Sequence, residues 1–252
     1  VKIPRIPVSD TTGRPEPAYF NLYKNITKKL VAGEKLSGGN PKPGVVWREA
    51  VPALKQLAGQ YKQKFDSYAE RNQDESFIPP VMIVVCDNTD IAQIFYEKIS
   101  GQTTADETRI INGKPKVVKV PQYGGNTDIF PDIFANTSAI LRTVRIDTKA
   151  LEDTDDEGLT KDEAMKKLRE IIDTVGKKGE AGEQIRCVVS VQMLSEGWDA
   201  NNVTHILGLR AFGSQLLCEQ VAGRALRRIS YEIDPETERF AEEYADLYGV
   251  PF

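Results

Sequence analysis

The sequence has few cysteines and almost no histidine. Its three cysteines, Cys86, Cys187 and Cys218, each lie within or beside an apolar run. This predicts buried thiols of a reducing compartment and a cytoplasmic protein. No cysteine stands at a spacing typical of metal ligands, and His205 is the one histidine, which leaves little for a zinc site. There is also no apolar run near the ~18–20 residues that cross a bilayer.

An overall excess of positive charge is lacking as well. The chain has 33 Lys and Arg residues against 37 Asp and Glu, a formal net charge of −4. Such a surface does not attract nucleic acid as a whole, so a polyanion would have to bind a local basic stripe. With 252 residues, the chain is long enough to bury a substantial core. The first residues, VKIPRIPVSD, lack an initiator Met and the apolar core typical of a secretory signal, and the last residues, YADLYGVPF, form no natural stop, so we expect a fragment.

Strands and helices are predicted to alternate along the chain. Short continuous apolar runs are typical of strands buried on both faces, and helical periods separate them. This alternation favours the α/β fold class with a mostly parallel sheet. The strand-like runs are PPVMIVVCDN, AILRTVRID, IRCVVSV and VTHILGLRAF. After the first run, Asn88 or Thr89 is the predicted N-cap of a helix.

Composition divides the chain into three segments. Residues 1–76 are predicted to form an extended lead-in, rich in proline and glycine, followed by a connector helix that begins near Val45. Residues 77–232 carry the α/β domain. Within it, residues 101–138 show no strong period and are expected to be an irregular insertion. Residues 233–252 are interpreted as the start of a following segment.

The stretch CEQVAGRALRR, residues 218–228, is predicted to be an amphipathic helix. At about 100° per residue, one stripe holds Gln220, Gly223, Arg224 and Arg227, opposite Cys218, Ala222, Ala225 and Ile229. A polar face turned to water explains the arginines. It does not explain the glycine, which costs a helix interior roughly 0.5–1 kcal/mol relative to alanine. An open backbone beside two planar guanidinium groups suits a phosphate, and the spacing alone leaves both interpretations open.

A second stretch, MLSEGWDANNV, follows the strand-like run IRCVVSV. Ligands of open α/β sheets collect beyond the carboxyl ends of the strands, where this loop is expected. Gly197 would give access to the backbone, and Asp199 is an acceptor suited to ribose hydroxyls. The same residues also suit a turn and a cap, with Trp198 closing the edge of the core.

Together the two stretches resemble motifs V and VI of a superfamily 2 helicase. SEGWD, the strand VTHILGLRAF and QVAGRALRR occur in the order and spacing of that family, and PPVMIVVCDN resembles motif IV. The longer string from Met193 to Arg228 is most similar to the Res subunit of type III restriction enzymes and related DEAD/DEAH-type helicases. The resemblance is specific over about residues 186–230 and weaker over 78–100. It implies a RecA-like three-layer fold, with a central sheet flanked by helices, for the second motor lobe.

The resemblance also implies roles for individual residues. The family pattern QxxGRxxR falls on Gln220, Gly223, Arg224 and Arg227, and the motif V glycine and aspartate fall on Gly197 and Asp199. Arg224 and Arg227 would then be arginine fingers that reach the γ-phosphate of ATP, and the other four residues would line the nucleotide cleft. Val191 stands where many relatives have a threonine that touches nucleic acid. The candidate nucleic-acid contacts are Asp87, Asn88, Ser190 and Ser195.

ATP with Mg²⁺ is the implied cofactor, bound mainly by an N-terminal RecA-like lobe of the same polypeptide. Because no GxxxxGK[ST] phosphate loop is present, the isolated chain is expected to be inactive. Double-stranded DNA and a modification or specificity subunit are the other implied partners, and no membrane partner is expected.

Three alternatives stay open: a repair helicase of the excision-nuclease type, a non-catalytic α/β binding module, and a stand-alone nucleotide-binding enzyme. The absent phosphate loop disfavours the last of these. No PD…(D/E)xK nuclease pattern is convincing. Asp128, Asp132 and the acidic residues 152–157 are interpreted as solvent-facing charge.

Overall fold

The computed structural model describes most of the chain beyond the first 18 residues. The described residues are 19–71, 79–111, 113–147, 161–191, 202–228, 231, 233–235, 237–240 and 243–251. The helices are α1 (Leu22–Lys29), α2 (Pro43–Arg71), α3 (Thr89–Ser100), α4 (Pro131–Phe134), α5 (Lys161–Asp173) and α6 (Gln215–Ala225). The strands are β1 (Val81–Cys86), β2 (Thr103–Ile111), β3 (Lys114–Gln122), β4 (Thr143–Ile146), β5 (Cys187–Ser190), β6 (Val203–Leu209), β7 (Ile233–Asp234), β8 (Arg239–Phe240) and β9 (Asp246–Tyr248).

Five strands form a parallel central sheet in the order β4-β5-β1-β6-β9. β1 lies at its centre, with Met82 in register with Cys187 of β5 and Cys86 in register with Leu209 of β6. Because every pair is parallel, the carboxyl ends of all five strands lie along one edge of the sheet. We call this the carboxyl edge.

The two faces of the sheet are covered by different helices. All six side chains of β1 are buried. Met82, Val84 and Cys86 pack into a cluster with residues of α1, α2, α3 and α4, whereas Val81, Ile83 and Val85 pack with α5 and α6. Successive side chains of a strand point to opposite faces, so a continuous apolar run is what a strand between two helical layers requires. The predicted α/β fold with a mostly parallel, helix-flanked sheet is confirmed.

The core of the domain draws on all three segments into which composition divides the sequence. Leu22 and Ile26 of α1 and Leu54 of α2 are buried in the same cluster as β1, so the lead-in contributes directly to the core. The predicted helix near Val45–Arg71 is confirmed as α2. At the other end of the chain, β9 pairs with β6, where His205 is in register with Asp246.

Residues 101–138, expected to be irregular, contain two long strands. β2 and β3 pair antiparallel over nine residues each, from Thr103 opposite Gln122 to Ile111 opposite Lys114. We call this two-stranded sheet the β2–β3 ribbon. The residues from Tyr123 to Phe130 are irregular, as expected, and α4 follows them.

His205 lies fully buried in β6. Its Nδ1 is 2.7 Å from the hydroxyl oxygen of Thr204, and its Nε2 is 3.4 Å from Asp246 Oδ2. Burial, assisted by the positive charge of Lys64, lowers the pKa of His205 from 6.5 to about 3. The imidazole is therefore neutral near pH 7, and the contact with Asp246 joins a neutral ring to a carboxylate.

The free energy of unfolding is expected to fall as the pH is lowered below about 6.5. There the unfolded chain binds a proton at His205 and the folded chain does not, a difference of up to about 1.4 kcal/mol per pH unit. Burial raises the pKa of Asp246, so the folded state takes up that proton more readily and offsets part of the loss at lower pH. Urea titrations between about pH 7.5 and pH 5.5 measure the slope. Because His205 is the one histidine of the chain, His205→Gln should remove most of it; an unchanged slope would contradict the assignment.

Candidate functional site

Helix α6 carries most of the predicted phosphate-binding residues. It begins after Ser214, whose hydroxyl accepts a hydrogen bond from the backbone N–H of Leu217 at 3.3 Å, the usual way of satisfying a free donor at a helix start. Its buried side chains are Cys218, Val221, Ala222 and Ala225, which pack against the sheet. The predicted apolar stripe is confirmed for Cys218, Ala222 and Ala225, and Ile229 lies outside the described residues.

Gln220, Gly223 and Arg224 lie together on the outer side of α6. Gln220 and Gly223 are exposed, and Arg224 is half-buried. Residues three and four apart on a helix are surface neighbours, so Gln220 lies beside both of the others. A Cβ atom placed on Gly223 would meet nothing within 4 Å, and the backbone there is not left-handed. Neither crowding nor conformation within the described chain therefore requires a glycine.

The helix is shorter than the sequence predicts. Its last residue is Ala225, and the N–H of Leu226 closes the final turn on the carbonyl of Ala222. Arg227 thus lies two residues beyond the helix, and its predicted place on the helical stripe is wrong, although its side chain is exposed. Arg228, which the helical geometry sets apart from the stripe, lies 3.5 Å from a Glu243 carboxylate oxygen and over the ring of Phe240 at 4.9 Å.

Asp87 and Asn88 follow β1 at the carboxyl edge, where both take part in the fold. Asn88 is the N-cap of α3 and accepts a hydrogen bond from the N–H of Ile91 at 3.0 Å, so the cap predicted at Asn88 or Thr89 is confirmed at Asn88. The pKa of the Tyr23 hydroxyl is raised above its ordinary value. Burial is the main cause, and the negative charge of Asp87 and a hydrogen bond to its carboxylate are the next two. The side chains of both residues thus have structural partners; the cap at Asn88 was predicted from the sequence, whereas the contact of Asp87 with Tyr23 was not.

Ser190 and Arg210 mark the ends of β5 and β6, which lie on either side of β1, at the same edge. Ser190 is the last residue of β5 and is 1% exposed, which places its hydroxyl inside the protein. Arg210 follows β6 and donates from Nη1 to the carbonyl of Val191 at 3.2 Å, across the end of β1. Sequence reasoning missed Arg210, although an arginine directly after a buried apolar strand could have drawn attention to it.

Sequence reasoning also missed a buried ion pair at the carboxyl edge. Arg145 of β4 and Asp147 just beyond it lie 3.3 Å apart, and both side chains are almost completely buried. The Arg145 guanidinium also lies 5.9 Å from the centre of the Tyr96 ring. Because both residues belong to one segment, the pair fixes the end of β4 itself, whereas the contact of Arg145 with Tyr96 joins β4 to α3.

The motif V residues Ser195, Gly197 and Asp199 lie outside the described residues. Within the described part of the chain, no group of three or more His, Cys, Asp or Glu side chains is arranged to hold a metal ion. The predicted burial of Cys86, Cys187 and Cys218 is confirmed, and burial raises the pKa of each thiol. None of the helices, as far as they are described, is long and apolar enough to span a bilayer.

Asp128 and Asp132, interpreted from the sequence as surface charge, are both exposed. Asp128 lies 3.5 Å from the Lys55 ammonium group. At the candidate site the surface carries the guanidinium groups of Arg224, in the last turn of α6, and of Arg227, beyond its end, beside the open backbone at Gly223. Comparison of the chain with family models, curated proteins and solved structures finds no match.

Proposed function

We propose that this chain is the second motor lobe of an ATP-dependent DNA helicase or translocase of the type III restriction kind. In this proposal Arg224 and Arg227 reach the γ-phosphate of ATP held by an N-terminal lobe of the same polypeptide. The observation that carries the proposal is the open backbone at Gly223, between Gln220 and Arg224 on the outer side of α6.

The glycine carries the argument because the described part of the chain gives no internal reason for it. Glycine in a helix interior costs about 0.5–1 kcal/mol relative to alanine, and here an alanine would fit without a contact closer than 4 Å. Gly59 in α2 is equally open, so this cost alone points to no ligand; at Gly223 a molecule that approaches the open backbone also meets the guanidinium group of Arg224. The neighbouring guanidinium group indicates that the approaching group is an anion.

The two arginines suit phosphoryl transfer, in which negative charge spreads over the γ-phosphate oxygens. A guanidinium group is planar, permanently charged and able to donate two parallel hydrogen bonds to such oxygens. Arg224 is held by the helix, whereas Arg227 follows its end with an exposed side chain. Arginines that meet the phosphate only when two lobes close would couple hydrolysis to lobe movement.

Exposed leucines at the two ends of α6 support a second lobe as the covering partner. Leu216 is 63% exposed and lies one turn before Gln220, and Leu226 is 42% exposed beyond Gly223. Apolar side chains around a cationic group favour a surface that another protein domain covers, because water exclusion strengthens the charge interaction. Mg²⁺ and the triphosphate are assigned in this proposal to the N-terminal lobe.

Gly223→Ala tests the proposal because its two expected effects have opposite signs. The unfolding free energy of the chain should rise by about 0.5–1 kcal/mol, since the new methyl group meets open space and alanine favours the helix. DNA-stimulated ATP hydrolysis by the polypeptide with both lobes should fall on the order of 10–100-fold, because a displaced phosphate loses its alignment with the arginines. Urea unfolding and steady-state ATPase kinetics measure the two effects.

Gly59→Ala in α2 is the matched control. Gly59 also lies inside a helix, and a Cβ atom there meets nothing within 4 Å. This variant should gain similar stability and hydrolyse ATP at the wild-type rate. If Gly223→Ala keeps wild-type ATPase activity as well, the open backbone has no role in nucleotide binding and the proposal fails.

A further inference from the structure

The β2–β3 ribbon stands apart from the core of the domain. At the base of the ribbon, the N–H of Gly125 donates a hydrogen bond to the carbonyl of Gly101 at 2.8 Å. Val118 is buried, but nearly every other described side chain of β3 is exposed, and so are those from Thr103 to Thr108. Nine residues at about 3.4 Å each give the ribbon a length of roughly 30 Å. It is therefore an arm whose surface is available to another molecule.

A two-stranded ribbon with this exposure gains little from its own packing. Isolated hairpins are marginally stable in water, because two strands cannot bury a face. Ile110 is nevertheless 78% exposed and Val117 is 59% exposed, both in the distal half. Apolar side chains displayed on an arm of this length indicate contact with a partner.

The pairing of the strands concentrates positive charge on one face of the distal half. Arg109 lies directly opposite Lys116, and Lys114 follows on the same face opposite Ile111. Like charges directly opposite each other destabilise an antiparallel pair. Glu107 contacts Arg109 at 3.2 Å, but no acidic residue occurs from Thr108 to Val117. The ribbon thus has the local basic surface that the chain as a whole, with its net charge of −4, does not have.

The composition of the ribbon distinguishes among nucleic acids. Proteins that bind single strands stack the bases on aromatic side chains, and residues 103–122 contain no Phe, Trp or Tyr. The major groove of duplex RNA is too deep and narrow for side chains to read, whereas that of B-form DNA, about 12 Å wide, admits a two-stranded ribbon. Duplex DNA is the polyanion that fits both the charge and the shape.

We propose that the β2–β3 ribbon is a binding arm for double-stranded DNA, with Arg109, Lys114 and Lys116 on the phosphates. This arm shares no residue with the phosphate-binding surface of α6. The inference stands on the charge, shape and exposure of the ribbon, and it holds whether or not the chain belongs to an ATP-driven motor. Within such a motor, the arm would hold the duplex while the lobes open and close.

The test measures binding of the complete chain to a fluorescein-labelled DNA duplex of about 20 base pairs, longer than the roughly 9 that the ribbon could span. Fluorescence anisotropy is recorded without ATP at about 50–200 mM salt. The triple variant Arg109→Gln, Lys114→Gln, Lys116→Gln should bind at least about tenfold more weakly. For this variant, the slope of log K against log salt concentration should be shallower by about 2–3, because each phosphate contact that is removed takes away roughly 0.9.

The control removes the same charge from another exposed site, with Lys24→Gln, Lys28→Gln and Lys29→Gln on α1. It should bind the duplex like the wild type, and circular dichroism should show both triple variants folded. A single strand of the same sequence and a duplex RNA should bind more weakly than the DNA duplex.

The proposal is overturned if the wild-type chain does not bind the DNA duplex, or if the ribbon variant binds it normally. It also fails if the α1 variant loses as much affinity, or if single strands or duplex RNA bind as tightly. Because no ATP is present, each result is independent of the ATPase tests of α6.

Discussion

Replacing Arg224 and Arg227 together by alanine is expected to lower kcat for DNA-stimulated ATP hydrolysis by about 10³–10⁵-fold, in the polypeptide that also contains the N-terminal lobe. The expected loss is large because an arginine finger stabilises charge that develops mainly in the transition state. KM for ATP should change much less, since the other lobe supplies most of the ground-state binding in the proposed arrangement.

The matched control for this experiment is Arg228→Ala. Arg228 neighbours Arg227 in the chain, but it contacts Glu243 and Phe240, so its loss should affect stability more than kcat. Arg224→Lys and Arg227→Lys retain the charge without the planar fork and should recover only a small part of the rate. Near-wild-type kcat in the double alanine variant would contradict the finger roles of both residues.

The second large effect is expected from Asn136→Ala, which should lower the free energy of unfolding by at least about 3 kcal/mol. Asn136 is 2% exposed, and its Oδ1 accepts hydrogen bonds from the N–H groups of Arg142 and Thr143 at 2.8 and 2.9 Å. Its Nδ2 donates to the carbonyl of Thr143 at 2.8 Å and to Gln102 Oε1 at 2.9 Å. Alanine leaves several buried backbone groups without this partner, and each costs about 1–3 kcal/mol.

Urea unfolding at neutral pH measures the loss, with Gln102→Ala as the control. That variant removes one acceptor from the Asn136 side chain and leaves its contacts with the β4 backbone in place. It should therefore cost only about 0.5–1.5 kcal/mol. If Asn136→Ala costs no more than Gln102→Ala, the side chain does not hold β4 in the sheet as the hydrogen bonds indicate.

Asn136 also shows why part of the fold escaped prediction from sequence. It lies within residues 101–138, where no period of two or 3.6 residues is evident, and its partners on Arg142 and Thr143 form only when the chain turns back. The β2–β3 ribbon in the same segment was missed for a related reason. Apolar alternation marks a strand when one face is buried along its length, and in this ribbon Val118 is the one buried side chain among those described.

The candidate site was predicted in part. The burial of Cys218, Ala222 and Ala225 follows from helical spacing, and with it the outward position of Gln220 and Gly223. The place of Arg227 did not follow, because the helix ends at Ala225 and a period has no meaning beyond the last turn. Arg210 was missed because its contact with Val191 joins the ends of β5 and β6, which β1 separates in the sheet, and strand order is not evident from the sequence.

The sequence by itself determined which runs become buried strands and which become helices between them, and hence the parallel α/β class. These features depend on short-range periodicity and on capping residues such as Asn88, which act within a few positions along the chain. Only the tertiary structure decided the strand order, the entry of β9 into the sheet beside β6, and the neutral burial of His205 against Asp246. Those outcomes depend on contacts between residues far apart in the chain, whose partners are chosen when the core closes.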